Sequence, residues 1–292
     1  MNTQGVLIPI VTPFTGDGQV NVAALRQLVD KFADSGAAGI VVCGTTGEYY
    51  ALEEAERELV LRTVADAVKG RLSLIAGVTA LSTPAAIRYA QQAQALGYDG
   101  LMMASPPYSL PSQEGLIGHF RQVAESTPLP IVMYDFPARV GIQIEVETVR
   151  ELARIPNIVA IKESSSSFSR ALALIDARIP DFQIICGADD LAADFLFWGV
   201  RGWISGTANV FPAEQVAMVR AADEGRWDDV RALMSAMYPV IQSMEAGDFN
   251  HKAKLGCRRH GVDAGTVRAP LSPLDAGQIR EFERLLDAYG SN

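Results

Sequence analysis

Three observations in the sequence predict an α/β fold of the (β/α)8 (TIM) barrel class with a helical C-terminal extension. Eight short apolar runs alternate with segments of helical periodicity as far as about residue 225, no shift in composition divides them, and no GxGxxG follows the first run. Alternation of that kind builds a parallel sheet, and eight units are the number that closes one. The missing glycine fingerprint argues against the alternative, an open dinucleotide-binding sheet. The barrel is expected over residues 1–225 and the extension over residues 226–292, packed on it as a single structural domain.

Strands are expected at Val6–Val11, Gly39–Cys43, Leu72–Gly77, Gly100–Ala104, Pro130–Tyr134, Ile158–Ile161, Gln183–Cys186 and Gly202–Ile204. Runs such as Ile158–Ile161 carry no polar interruption, which fits strands buried on both faces. The first helix shows its core stripe in Val22, Leu25, Leu28, Val29 and Phe32, ahead of Gly36. Helices follow at Glu53–Val68, Pro84–Leu96 and Ser112–Ala124. The second of these opens on Ser82-Thr83-Pro84, with proline in the first turn where its missing N–H costs little. Beyond the eighth strand, Ala213–Asp223, Trp227–Met244, Lys252–His260 and Gln278–Tyr289 read as extra helices.

With 292 residues, 49% of them hydrophobic, the chain can bury a large core. Acidic residues outnumber basic ones 34 to 25, and no basic cluster exceeds the Arg258-Arg259 pair. That balance argues against nucleic acid or an anionic membrane as partner. The longest apolar runs fall far short of the roughly 20 residues a spanning helix needs. The start, MNTQGVLIPIVTPF, lacks the features of a signal peptide, so a cytoplasmic protein is expected. Cys43, Cys186 and Cys257 cannot all pair, and the first two, set in apolar runs, read as buried thiols. His119, His251 and His260 show no zinc-ligand spacing, so no metal site is expected.

A barrel of this class gathers its chemistry where strands end. Those ends hold Thr12, Gly44-Thr45-Thr46-Gly47-Glu48, Thr79, Ser105-Pro106-Pro107-Tyr108, Tyr134 through Arg139, Lys162-Glu163, Gly187-Ala188-Asp189-Asp190 and Ser205 through Asn209. Lys162 closes the run NIVAIKESS. Alone, such a lysine would snorkel to water. Set among seven other polar strand ends it reads as a desolvated amine able to form a Schiff base with a carbonyl. GTTGE offers hydroxyls and N–H groups to an anion, or an ordinary strand-to-helix turn. A carboxylate held there on a ketone facing Lys162 would make the ligand a 2-oxo acid. Tyr134 could pass protons or simply pack, and Arg139 could fork a second carboxylate or stand in solvent. Glu48 and Glu163 are read as loop braces rather than an acid/base pair, and Asp189-Asp190 suit a helix start as well as a divalent metal.

GTTGE, SPPY followed by PSQEG, YDFPARVG, AIKES and ISGTANV, in this order and at these separations, closely resemble the dihydrodipicolinate synthase and N-acetylneuraminate lyase family over about residues 5–290. The resemblance implies a barrel, usually a homotetramer, working as a class I aldolase through a lysine imine with pyruvate and no other cofactor. It implies Lys162 as the imine-forming lysine, Tyr134 as the proton-transferring tyrosine, and Thr45 and Thr46 as holders of the pyruvate carboxylate. Thr46 would join Tyr134 and Tyr108 in a hydroxyl relay, with Tyr108 reaching in from a neighbouring subunit. Gly187 and Ile204 match positions whose backbones line the pocket.

The paired threonines and Arg139 favour the synthase branch, in which that arginine receives the carboxylate of L-aspartate-4-semialdehyde and the product is 4-hydroxy-tetrahydrodipicolinate, on the route to diaminopimelate and lysine. Asp135, Val140 and Pro107 depart from the synthase pattern, and so do Tyr49, Leu81 and Ala85 around the usual lysine-feedback site. Insensitivity to lysine is therefore expected. The departures also admit a catabolic aldolase or dehydratase of a 2-keto-3-deoxy sugar acid using the same imine. A non-catalytic 2-oxo acid sensor is the reading from another class, and the full set of Lys162, Tyr134, Thr45, Thr46 and Tyr108 argues against it.

Overall fold

The computed structural model describes Met1 and residues 3–290. Eight parallel strands form a closed barrel in sequence order: β1 (Gly5–Pro9), β2 (Gly39–Val42), β3 (Ser73–Gly77), β4 (Gly100–Ala104), β5 (Ile131–Asp135), β6 (Ile158–Glu163), β7 (Gln183–Cys186) and β8 (Gly202–Ile204). β1 closes the ring by pairing with both β2 and β8. Between strands run α1 (Val22–Asp34), α2 (Glu54–Val68), α3 (Thr83–Ala95), α4 (Gln113–Glu125), α5 (Pro137–Val140), α6 (Val146–Leu152), α7 (Phe168–Asp176) and α8 (Ala192–Phe197). After β8 come α9 (Pro212–Asp223), α10 (Trp227–Glu245), α11 (Phe249–Gly256) and α12 (Ala276–Gly290).

Each strand sends at least one side chain into a packed barrel interior: Leu7, Val41, Ile75, Met102, Val132, Ala160, Ile185 and Ile204. Their neighbours along the strands, such as Ile8, Ile40, Met103 and Ile161, face the surrounding helices. Both faces are thus buried, which is why the strands read as continuous apolar runs. Helix starts are satisfied locally. Asn21, Ser112 and Ser167 accept from backbone N–H groups three residues on, at the heads of α1, α4 and α7.

The strand boundaries differ from the sequence expectation at two informative places. β2 stops before Cys43, whose φ of 55° leaves the extended region. β5 and β6 run on into charge, pairing Tyr134 with Lys162 and Asp135 with Glu163. Those outward carboxylates are tolerated because Arg170 of α7 lies 3.2 Å from Asp135 and 3.8 Å from Glu163. In the extension, α10 packs on α9 and α12, and α10 and α11 also reach the turns that follow β7 and β8. The extension therefore covers part of the barrel mouth.

Candidate active site

A cavity of about 290 Å³ opens at the C-terminal mouth of the barrel. Thr45, Thr46, Tyr134, Arg139, Lys162 and Gly187 line it together, although they come from the ends of four different strands. Ile204 instead packs in the barrel interior with Tyr134, and Gly206, two residues on, takes the wall position. Tyr108 stands apart on the loop after β4, 94% exposed and held at a φ of 73°.

Lys162 and Tyr134 are register neighbours on β6 and β5, both facing inward. The Lys162 Nζ lies 4.3 Å from the centroid of the tyrosine ring, and the lysine is 6% exposed. Burial pulls its amine down from 10.5 to about 8, against the opposing pull of Asp189, Cys186 and Glu245. Desolvation wins because none of those groups forms an ion pair with it. At pH 7 such an amine is about one-tenth neutral, against about three in ten thousand for an ordinary lysine. Burial also pushes the Tyr134 hydroxyl well above the phenol range, with the nearby Ser164 hydroxyl opposing, so it stays protonated at neutral pH. Gly187 leaves the room this lysine needs: a Cβ there would stand 2.7 Å from the Lys162 Cε and collide with the Ser164 hydroxyl.

The threonine loop is bent at both ends by left-handed non-glycine residues, Cys43 at φ 55° and Glu48 at φ 53°. Hydrogen bonds hold that shape. The Thr12 Oγ1 donates to the Gly47 carbonyl at 2.7 Å, and the Glu48 N–H donates to the Thr45 carbonyl at 3.1 Å. Arg139 sits exposed on the rim, its guanidinium 6.0 Å from the Phe136 ring, with no carboxylate paired to it among the described residues. Its fork is free for a ligand.

Three acidic residues at the strand ends serve structure. Glu48 is fully buried against Lys254, and Glu163 accepts from the Ser165 N–H at 2.7 Å, so both brace loops as the sequence suggests. Asp189 is 2% exposed and spends its two oxygens on the Trp203 Nε1–H at 2.9 Å and the Thr207 N–H at 2.8 Å. No group of three or more His, Cys, Asp or Glu side chains placed to hold a metal occurs among the described residues. Sequence reasoning missed Ser164 and Ser166, just past Lys162, and Glu245, Gly247, Phe249 and Asn250 from the extension. Ser164 was visible in NIVAIKESS and Ser166 directly follows that stretch, but no strand end marks residues 245–250. Burial, with Asp189 and Asp190 nearby, raises the Glu245 carboxyl to about 8 even though part of its side chain faces solvent.

Comparison with known proteins bears directly on this arrangement. The sequence profile of the dihydrodipicolinate synthetase family matches residues 2–289. The chain belongs to that family. The 4-hydroxy-tetrahydrodipicolinate synthase of Moorella thermoacetica is 38% identical over 283 residues, which cover 97% of this chain and 96% of that one. Its counterpart from Syntrophus aciditrophicus is 35% identical over 287 residues, 98% of each chain. Among solved structures, the dihydrodipicolinate synthase of Acinetobacter baumannii complexed with pyruvate superposes with a TM-score of 0.95 at 31% identity, covering 99% of both chains. The family and the closed barrel expected from the sequence are both borne out. No helix among the described residues is long and apolar enough to cross a membrane.

Proposed function

We propose that this dihydrodipicolinate synthetase family member is a class I lyase that condenses pyruvate with L-aspartate-4-semialdehyde, giving 4-hydroxy-tetrahydrodipicolinate for diaminopimelate and lysine biosynthesis. The observation that carries this reading is the desolvated Lys162 amine beside Tyr134, in a cavity that also presents Thr45, Thr46 and Arg139. The end-to-end match to synthases supports the choice of aldehyde.

The neutral Lys162 Nζ attacks the ketone carbon of pyruvate while the Thr45 and Thr46 hydroxyls hold the carboxylate. Tyr134 supplies the proton that lets the carbonyl oxygen leave as water, and the imine forms. A methyl proton is then lost to give the enamine, whose carbon attacks the aldehyde carbon. The aldehyde oxygen takes up a proton and becomes the hydroxyl. Arg139 receives the carboxylate of the semialdehyde. The amino group of that substrate displaces Lys162 from the imine, which closes the ring and frees the lysine. No organic cofactor or metal is needed, because the imine itself is the electron sink.

The reading includes a homotetramer acting in the cytoplasm. Tyr50, Leu81, Tyr108 and Leu110 stand 46%, 71%, 94% and 55% exposed on the loops after β2, β3 and β4, as residues covered by a second copy would. Tyr108 would then complete the relay with Thr46 and Tyr134 of its neighbour.

A second reading is favoured by one wall of the cavity, where Ser164, Ser166 and Glu245 offer partners for substrate hydroxyls. It is the cleavage or dehydration of a 2-keto-3-deoxy sugar acid through the same imine. A turnover screen separates the two. Rapid condensation of pyruvate with aspartate semialdehyde supports the synthase, and negligible turnover of it beside rapid consumption of a 2-keto-3-deoxy acid rejects it.

A further inference from the structure

The extension reaches the threonine loop through two residues one turn apart on the same face of α11. Asn250 donates its Nδ2–H to the Thr45 carbonyl at 3.0 Å and to the Tyr50 hydroxyl at 3.0 Å. Four residues on, the Lys254 Nζ lies 2.5 Å from the Glu48 Oε1, with the two side chains 1% and 0% exposed. The same ammonium donates to the Thr266 carbonyl at 2.8 Å and stands 4.0 Å from the centroid of the Phe14 ring. The other oxygen of Glu48 accepts from the Arg268 N–H at 3.0 Å. One helix thus grips the first residue of the Thr45–Glu48 turn by its carbonyl and the last by its carboxylate.

We propose that Asn250 and Lys254 are positioning residues of the carboxylate site, acting through Thr45 and Glu48 to hold the two threonine hydroxyls where an anion meets both. The inference rests on the reading that Thr45 and Thr46 bind the pyruvate carboxylate. Its physical basis is the left-handed backbone at Cys43 and Glu48, a conformation that persists only where surrounding contacts over-determine it. The loop's own bond, Glu48 N–H to the Thr45 carbonyl, spans only the turn itself. A buried ion pair adds little net stability over an apolar pair of similar volume. What it adds here is a fixed distance between α11 and the turn, and binding constellations need their parts held to within about 0.5 Å.

The test uses borohydride trapping of the full-length protein with two ketones, pyruvate and hydroxyacetone, the second lacking a carboxylate. The variants are Asn250→Ala and the neutral double variant Glu48→Gln/Lys254→Met, which leaves no unpaired charge in the interior. Both are expected to need about tenfold more pyruvate for half-maximal trapping, as loss of a loop-fixing bond implies. Trapping of hydroxyacetone should stay at the wild-type level, and kcat at saturating pyruvate within about threefold of wild type. Unchanged half-saturation for pyruvate overturns the inference. So does a parallel loss with both ketones, which is what general damage to the fold produces. Failure of the wild-type protein to trap pyruvate at all contradicts the underlying reading of Lys162 itself.

Discussion

Two lysines are buried among the described residues, and they have opposite fates. Lys162, at the barrel mouth, is 6% exposed, faces a cavity and has an aromatic ring rather than a carboxylate beside its amine. Lys254, on α11 of the extension, is 1% exposed and lies 2.5 Å from Glu48. Burial lowers both amines, but for Lys254 the Glu48 carboxylate opposes the shift by charge and by hydrogen bond, while Lys162 meets only more distant charges. The comparison teaches that burial alone does not make a nucleophile. A buried lysine with a paired carboxylate is a tie, and a buried lysine without one beside open space is a reagent.

The largest effect expected is on turnover. Lys162→Met should lower it by on the order of 10⁴ or more, because the covalent step is lost. The same change should raise the melting temperature, since a desolvated amine is replaced by a thioether. Lys254→Met should do the reverse to stability. It leaves Glu48 uncompensated in the interior and should destabilise by about 3–5 kcal/mol, read by chemical denaturation. Equal melting temperatures for the two variants would erase the contrast. Tyr134→Phe should lower kcat by about 10² to 10⁴ with the fold intact by circular dichroism, as loss of a proton-transfer group does.

A smaller effect lies in the pH dependence. Trapping at limiting pyruvate should rise about tenfold per pH unit below about pH 8 and level off above it, as the amine of Lys162 deprotonates. The stability sign follows from the same shift. The folded pKa of about 8 lies below the unfolded value of 10.5, so between them the unfolded chain holds more protons. Stability attributable to Lys162 therefore rises with pH through that window and is lowest below it. That contribution to the slope should be lost in Lys162→Met, while the one from Lys254, whose amine burial also lowers, remains. The smallest expected effect is none at all. Millimolar lysine should leave turnover unchanged, given Tyr49, Leu81 and Ala85 at the usual feedback site, and marked inhibition would contradict this.

Much of the barrel is legible in the sequence because its physics is local. Apolar runs mark strands buried on both faces, and the residues just past them mark the mouth, which is how Thr45, Thr46, Tyr134, Arg139, Lys162 and Gly187 could be gathered before any coordinates. The extension's share was not legible. Asn250 and Thr45 are 205 residues apart and follow no shared period, so nothing in the chain announces that one grips the other. Asp135 and Glu163 show the same limit. As letters they end the apolar runs, yet in the structure they prolong both strands, because Arg170 arrives from the next helix to meet them. Ile204 shows a finer one: the end of β8 was visible, but the turn that puts Gly206 rather than Ile204 on the wall was not.

The most direct test of the contrast between the two buried lysines is to reduce the protein with borohydride in the presence of pyruvate and map the adduct by peptide mass spectrometry. The account predicts one reduced pyruvyl adduct per chain, on Lys162, with none on Lys254. No adduct, or an adduct on any other lysine, would contradict it.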